Sequence, residues 1–115
     1  MDMSNPSLFR AIDPLGNLVT LTRECWREHI CVVHVEMRPL LDKVRQTIAD
    51  PDYIYTSKSS PHSHLYFKEH TDPRLKCRYI LVAVRRKAGK IRGYVQSAYP
   101  VKSLSKGGTL EWKKE

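Results

Sequence analysis

The chain has no long apolar run and little cysteine. Three of its 115 residues are cysteines, an odd number without a Cys-x-x-Cys spacing, which favours reduced, mostly buried thiols over a disulfide framework. No stretch approaches the roughly 18 apolar residues that cross a bilayer, and the first residues lack the basic and apolar regions of a signal peptide. The length of 115 residues, with 41% hydrophobic content, predicts one soluble domain over residues 1–115. The absence of a membrane-spanning run and of a signal peptide predicts that it is cytoplasmic and has no membrane partner.

Negative charge is also scarce. Twelve Asp and Glu residues stand against twenty Lys and Arg residues, which gives a formal net charge of +8 at pH 7 and a pI near 9.6. Domains this basic commonly bind a polyanion such as nucleic acid, although in many basic domains the charge serves solubility alone. The basic residues do not form a contiguous tail. We therefore expect a basic surface on the folded domain.

Two apolar runs dominate the second half of the chain, residues 77–85 and 91–100, joined by a basic turn that contains Gly89. The first run is rich in β-branched and aromatic residues, so the pair predicts a buried β-hairpin. Side chains alternate between the two faces of a strand. The hydroxyls of Ser97 and Tyr99 should therefore lie on the same side of the sheet.

The remaining segments surround this hairpin. Residues 1–17 are expected to be loop-like. Helices are predicted over residues 23–33 and 36–49, and further strands over residues 18–21, 53–56, 64–69 and 109–113. This order predicts an α+β fold in which two N-terminal helices pack on one face of a four- to five-stranded antiparallel sheet. The other face would stay open to a ligand.

Two histidines fall in the predicted helical part. His29 lies beside the apolar stripe of Trp26 and Ile30. His34 is five residues further on, about 140° around a continuous helix, so the two imidazoles converge only if the helix breaks near His34. Imidazole suits proton transfer because its unperturbed pKa is near 6.5. A core role for His29 and a corner role for His34 remain open.

A resemblance rests on short motifs that follow one another from residue 18 onward. The motifs are Leu21-Thr22, Trp26, His29-Ile30, His34-Val35-Glu36-Met37, Thr47-Ile48, Pro51-Asp52, Tyr66, the 79–84 strand, Ser97-Ala98-Tyr99-Pro100 and Trp112. Their order and spacing resemble the small phage- and toxin-associated nuclease domains of the barnase, colicin and RelE-like superfamily. Related sequences typically have Pro where this chain has Val35, and often Thr where it has Ser97.

This resemblance implies two N-terminal helices on a four-stranded antiparallel sheet, with RNA cleavage on that sheet that needs no metal or cofactor. Among toxin-like relatives it also implies an inhibitor or antitoxin protein as a partner. The positions that match the resemblance are His29, His34, Glu36, Ser97 and Tyr99. All of them except Glu36 are predicted to be catalytic. Such cleavage needs a base for the ribose 2′-OH, an acid for the leaving 5′-oxygen and cations for the phosphate. Contacts to RNA are predicted for Glu36, Tyr66, Arg78, Arg85, Arg92 and Lys102.

Other interpretations remain open. Ser97 and Tyr99 could be plain strand residues, and the arginines could be solvated surface charges. His62 and His64 could point the same way from a strand and, with His70, hold a metal ion, although no Cys or carboxylate cluster accompanies them. A non-catalytic RNA-binding module would use Tyr66, Tyr94 and Tyr99 to stack bases. A basic protein-interaction module is the third class.

Overall fold

The computed structural model describes residues 6–87 and 89–115. Their strands form one seven-stranded sheet. The strands are β1 (Ser7–Ile12), β2 (Leu18–Thr22), β3 (Tyr53–Ser57), β4 (Ser63–Glu69), β5 (Tyr79–Arg86), β6 (Arg92–Val101) and β7 (Gly107–Lys113). Between β2 and β3 lie a π-helix (Cys25–Ile30), α1 (Cys31–Val33), a 3-10 turn (Val35–Met37) and α2 (Leu41–Ala49). The order across the sheet is β1-β2-β6-β5-β4-β3-β7.

The central hairpin is confirmed. β5 and β6 pair antiparallel from Tyr79 opposite Val101 to Arg86 opposite Gly93. The turn between them contains Gly89 at φ +77°, a left-handed conformation that glycine adopts without a steric penalty. β4 then pairs with β5 along its whole length, so the most apolar strand of the chain occupies the middle of the sheet.

The predicted fold class is wrong. The sheet has seven strands, and it is mixed because β2 pairs with β6 in parallel, from Leu18 opposite Arg92 to Thr20 opposite Tyr94. The N-terminal segment predicted to be loop-like contains β1, which pairs antiparallel with β2. With two short α-helices beside seven strands, the architecture is mostly β.

The helical part is shorter and less regular than predicted. The first segment winds as a π-helix that buries Trp26 and Ile30. Because a π-helix holds more residues in each turn, Val33 leaves the apolar stripe expected for it and is 59% exposed. Pro39 has no N–H group, and α2 starts only after it, at Leu41. No helix within the described residues is both long and apolar enough to span a membrane.

The sheet has two unequal faces. Trp26, Ile30, Val44 and Ile48 from the helical part pack on what we call the helix face, which carries the larger core. The opposite face, here called the open face, carries a smaller apolar cluster. Its members are Leu65, Phe67, Tyr79 and Leu81, with Tyr53, Tyr55, Ala83, Tyr99, Val101 and Leu104 packed at its margin. No helix covers this cluster in the part of the chain that the structure describes.

Candidate functional site

The helical segment ends at His34, and the break directs this residue onto the open face. His34 has φ −122° and ψ 74°, outside the helical region, although its N–H still donates to the Ile30 carbonyl at 2.8 Å. Its imidazole stacks on the Tyr99 ring, with centroids 4.7 Å apart and planes inclined by 25°. The carboxylate of Glu36 lies 3.9 Å from Nδ1 of His34. The predicted helix break therefore occurs, and it brings His34 to Tyr99.

Tyr99 also contacts a lysine from the other side. The connection between β6 and β7 folds over the open face, where Leu104 packs at the margin of the apolar cluster. Lys106 in this connection donates from Nζ to the Tyr99 hydroxyl at 3.0 Å, with the ammonium 4.7 Å from the ring centroid. Ser97 precedes Tyr99 by two residues on the same face and is half-buried. An imidazole, a phenol, an ammonium and a serine hydroxyl thus share one area of the sheet.

The π-helix runs along β6, and His29 belongs to it. The Thr22 hydroxyl accepts a hydrogen bond from the Cys25 N–H at 3.2 Å at the start of this segment. The Cys25 thiol donates to the Val95 carbonyl at 3.1 Å. Burial, with a smaller effect from Glu24, raises the pKa of this thiol to about 11, so it remains a protonated donor.

His29 follows Cys25 by four residues, about one turn, so the two residues lie on the same side of the helical segment. Its side chain is exposed. Within the described residues, His29 makes no ring contact with His34. The structure therefore places the two histidines on one helical segment beside β6, with His34 alone in contact with Tyr99.

Two grooves lie on the open face. The first, which we call the basic groove, measures about 580 Å³ and is lined by Arg85, Lys87, Lys90, Ile91, Arg92, Tyr94 and Gln96. The second, the hydroxyl groove, measures about 540 Å³ and is lined by Ser57, Lys58, Ser59, Ser63, Leu65, Ala83, Tyr99, Ser105 and Lys106. Ser63 donates to Oε1 of Gln96 at 2.9 Å, so this hydrogen bond marks the boundary between the grooves.

The charges along these grooves are all positive, because neither lining contains a carboxylate. Among residues 6–87 and 89–115, none of the groove cations forms an ion pair. At the other end of β5 two arginines are neutralised. There Arg78 lies 2.7 Å from Glu69 and Arg74 lies 2.7 Å from Asp72. The cations that line the two grooves thus have no carboxylate partner among the described residues.

Of the residues predicted to contact RNA, two line a groove and the others lie elsewhere. Arg85 and Arg92 both line the basic groove. Arg78 is exposed but bonded to Glu69 at the far end of the hairpin, and Lys102 is exposed in the β6–β7 connection. Glu36 lies beside His34. Sequence reasoning missed Lys106, which follows a serine-rich loop and carried no regular pattern.

The prediction for Tyr66 is wrong in its placement. Its side chain is fully buried in the core of the helix face, so the ring cannot stack on a base. The hydroxyl donates to the buried carboxylate of Asp13. Burial, together with this hydrogen bond and the charge of Asp13, raises the pKa of Tyr66. Asp13 also accepts from the side-chain amide of Asn17 at 3.0 Å, which holds the β1–β2 turn on the core.

A second polar group on the helix face joins four strands, and we call it the Glu111 cluster. Glu111 accepts from the Thr56 hydroxyl at 3.1 Å and lies 2.5 Å from Nδ1 of His64. Arg86 reaches the other carboxylate oxygen at 3.5 Å. The stem of Arg86 packs over Gly93, where a Cβ atom would lie 2.6 Å from its Cγ. His64 is therefore held by Glu111 on the helix face.

The possible metal site at His62, His64 and His70 is not assembled within the described residues. Among the described residues, no group of three His, Cys, Asp or Glu side chains is placed to hold a metal ion. His62 is exposed in the turn before β4. His70 accepts at Nδ1 from the Asp72 N–H at 3.1 Å.

Comparisons of the chain with protein-family models, with curated proteins and with solved structures found no match.

Proposed function

We propose that this protein is a metal-independent endoribonuclease that cleaves RNA on the open face. The observation that carries the proposal is the stack of His34 on Tyr99 at the edge of the hydroxyl groove, with the Lys106 ammonium 3.0 Å from the Tyr99 hydroxyl. A proton carrier, a hydrogen-bonding phenol and a cation therefore meet where the sheet is open. These are the groups that phosphodiester cleavage requires.

In the proposed reaction, one histidine takes the proton of the ribose 2′-OH, and the 2′-oxygen attacks phosphorus. The bond from phosphorus to the 5′-oxygen then breaks, and the other histidine protonates the leaving oxygen. The products are a 2′,3′-cyclic phosphate and a free 5′-OH. Lys106 and the hydroxyls of Tyr99 and Ser97 hold the phosphate oxygens. His34 and His29, both on the helical segment beside β6, are the two histidines that accept and donate these protons.

The cationic grooves support RNA as the substrate. A strand that lies across the open face meets positive charge in both grooves, and phosphate contacts of this kind position a nucleic acid without reading its sequence. An exposed tyrosine on a sheet is also a surface on which single-stranded RNA stacks. A protein that binds RNA on this face without cleaving it is the second candidate, because the same charges and rings would suffice for binding.

The test of cleavage uses a labelled single-stranded RNA in the presence of EDTA. We expect the RNA to be cut and the upstream fragment to carry a 2′,3′-cyclic phosphate, identified by its mass. A DNA strand of the same sequence should stay intact because it has no 2′-OH. RNA that remains intact, or RNA that is cut only after a metal ion is added back, would support the binding module instead.

The salt dependence of RNA binding tests the basic groove. Replacing Arg85 or Arg92 with Gln should weaken binding and reduce the slope of log K against log salt by about one for each phosphate that is no longer neutralised. Arg74→Gln is the matched control, since Arg74 is ion-paired with Asp72 at 2.7 Å. It should leave the slope unchanged. Equal slopes for the parent protein and all three variants would exclude the basic groove as the phosphate surface.

A further inference from the structure

We propose that the basic groove is a separate subsite, which holds one base of a single-stranded RNA on the ring of Tyr94. This inference rests on the proposed function, because it places the substrate on the open face. It adds the conformation of the RNA, which must be unpaired for a base to enter the groove. It also assigns a role to Tyr94 and Gln96.

The ring of Tyr94 is unusually exposed for its position in the sheet. Tyr94 lies in the interior of β6, opposite Arg85 on one side and Thr20 on the other. A central strand position normally buries a large ring, yet 55% of Tyr94 is exposed. Ile91, which is 67% exposed, lies beside it in the same groove. The floor of the basic groove is therefore a flat apolar surface that a base could cover.

The charges around this floor favour a nucleotide. Arg85 lies opposite Tyr94 on β5, and Arg92 precedes Tyr94 by two residues on β6. Lys87 and Lys90, in the β5–β6 turn, also line the groove. No carboxylate lines the groove and, in the described parts of the chain, none is paired with these cations. An aromatic ring surrounded by cations is the combination that single-strand binding sites use, where bases stack and the backbone follows the positive charge.

Gln96 supplies a polar contact at the boundary with the hydroxyl groove. Its Oε1 accepts from Ser63, which fixes the amide and leaves the Nε2 hydrogens as donors. Because Gln96 lines the basic groove, a base on Tyr94 can receive a hydrogen bond from this amide. The subsite thus offers a donor, and bases with an acceptor edge fit it.

The subsite is distinct from the cleavage site. Tyr94 and Tyr99 are five residues apart on β6, and a register shift in the β5–β6 ladder between Ala83 and Val84 lets both side chains lie on the open face. At the usual rise along a strand they are attached roughly 15 Å apart. Adjacent bases of one strand cannot cover both rings. A substrate that gains from the basic groove therefore has to extend several nucleotides beyond the cleaved bond.

The experiment measures binding of a ten-nucleotide single-stranded RNA that is 2′-O-methylated throughout, so that it cannot be cleaved. Tyr94→Ala should weaken binding by about 5-fold to 100-fold, the usual effect of removing a base-stacking ring. Tyr94→Phe keeps the ring and should bind as the parent protein does. Leu110→Ala, which removes an exposed apolar side chain from β7, is the control for an unrelated surface change.

An abasic scan locates the base. Placing one abasic nucleotide at successive positions of the RNA should cost the parent protein affinity at one position. Tyr94→Ala should lose that position-specific cost, because the ring that read the base is gone. If Tyr94→Ala binds as tightly as Leu110→Ala, or if the abasic cost is the same in both backgrounds, the subsite does not exist.

The outcomes separate this inference from the proposed function. Loss of affinity in Tyr94→Ala with no RNA cleavage by the parent protein retains the subsite and removes the nuclease. Cleavage by the parent protein with no effect of Tyr94→Ala retains the nuclease and removes the subsite. Vesicles of phosphatidylserine and phosphatidylcholine test the other occupant that exposed isoleucine and lysine could bind. If Tyr94→Ala changes vesicle binding and leaves RNA binding unchanged, the subsite is overturned.

Discussion

Replacing His34 with Gln is expected to reduce RNA cleavage by roughly 10²-fold or more, because loss of a general acid or base usually has an effect of this size. His34→Phe should be as inactive as His34→Gln, since phenylalanine keeps the stack on Tyr99 but carries no proton. The fold should survive both changes. The His34 side chain is 25% exposed, and removal of its ring stack costs about 1 kcal/mol. Initial rates and melting temperatures of the variants check this result.

His62→Gln is the matched control, since His62 is exposed in the turn before β4 and lines neither groove. It should cleave at the parent rate. His29→Gln should also lose roughly 10²-fold if His29 carries the second proton. A His34→Phe protein that cleaves at the parent rate would remove proton transfer from the role of His34. Full activity in His29→Gln alone would leave the second proton to another group.

Replacing Glu111 with Gln is expected to have the largest effect on stability. The carboxylate joins Thr56, His64 and Arg86 across the sheet, and its loss leaves the Arg86 guanidinium, 11% exposed, without a counter-charge. Removing one partner of a buried pair costs several kcal/mol. For this partly exposed cluster we expect about 2 kcal/mol, or a drop of roughly 10 °C in melting temperature. Thermal unfolding at pH 7 measures the change.

The contribution of the Glu111 carboxylate to the free energy of unfolding should depend on pH. Burial alone would raise the pKa of Glu111, but the hydrogen bonds and charges of His64, Thr56 and Arg86 together lower it below the ordinary value of 4.5. The ionised carboxylate therefore stabilises the fold above about pH 4.5, and this contribution is lost as pH falls through the lowered pKa. Glu111→Gln should lack this acid-side loss. Glu28→Gln, on the exposed side of the π-helix, should keep it.

A parental slope of stability against pH in Glu111→Gln would show that another carboxylate is responsible. Asp50 is the next group to test, because hydrogen bonds to Lys114 and Lys68 lower its pKa. Asp50 is exposed, so its contribution to stability should be small.

The central hairpin could be predicted from the sequence because both of its strands are apolar, adjacent in the chain and joined by a turn with glycine. The β2–β6 pairing could not. It joins Leu18 to Arg92, and no local pattern specifies which distant strand a short apolar segment will join. β1 was missed for a related reason, since a short strand with one buried residue, Ala11, has little periodicity.

The site shows the same division between local and long-range information. Alternation along β6 correctly grouped Ser97 with Tyr99. Alternation along β4 separates Tyr66 from Leu65 and Phe67, but it does not say which set meets the helices. That choice is made when α2 packs on the sheet, and it buried Tyr66. The sequence showed that the site requires a helix break near His34, because that requirement follows from local helix geometry. The contribution of Lys106 could not be predicted, because it depends on how the β6–β7 connection folds back over the sheet.

The parallel pair of β2 and β6 has a further consequence, for local unfolding. Only three residue pairs join these strands, whereas the antiparallel ladders from β6 to β4 extend over most of each strand. His29 and His34 enter the molecule with β2, while Ser97, Tyr99 and Lys106 belong to the antiparallel part. We therefore expect the short β2–β6 ladder to open more readily than the antiparallel ladders. Such opening would move His29 and His34 away from Tyr99 and Lys106 while the antiparallel strands remained protected from hydrogen exchange.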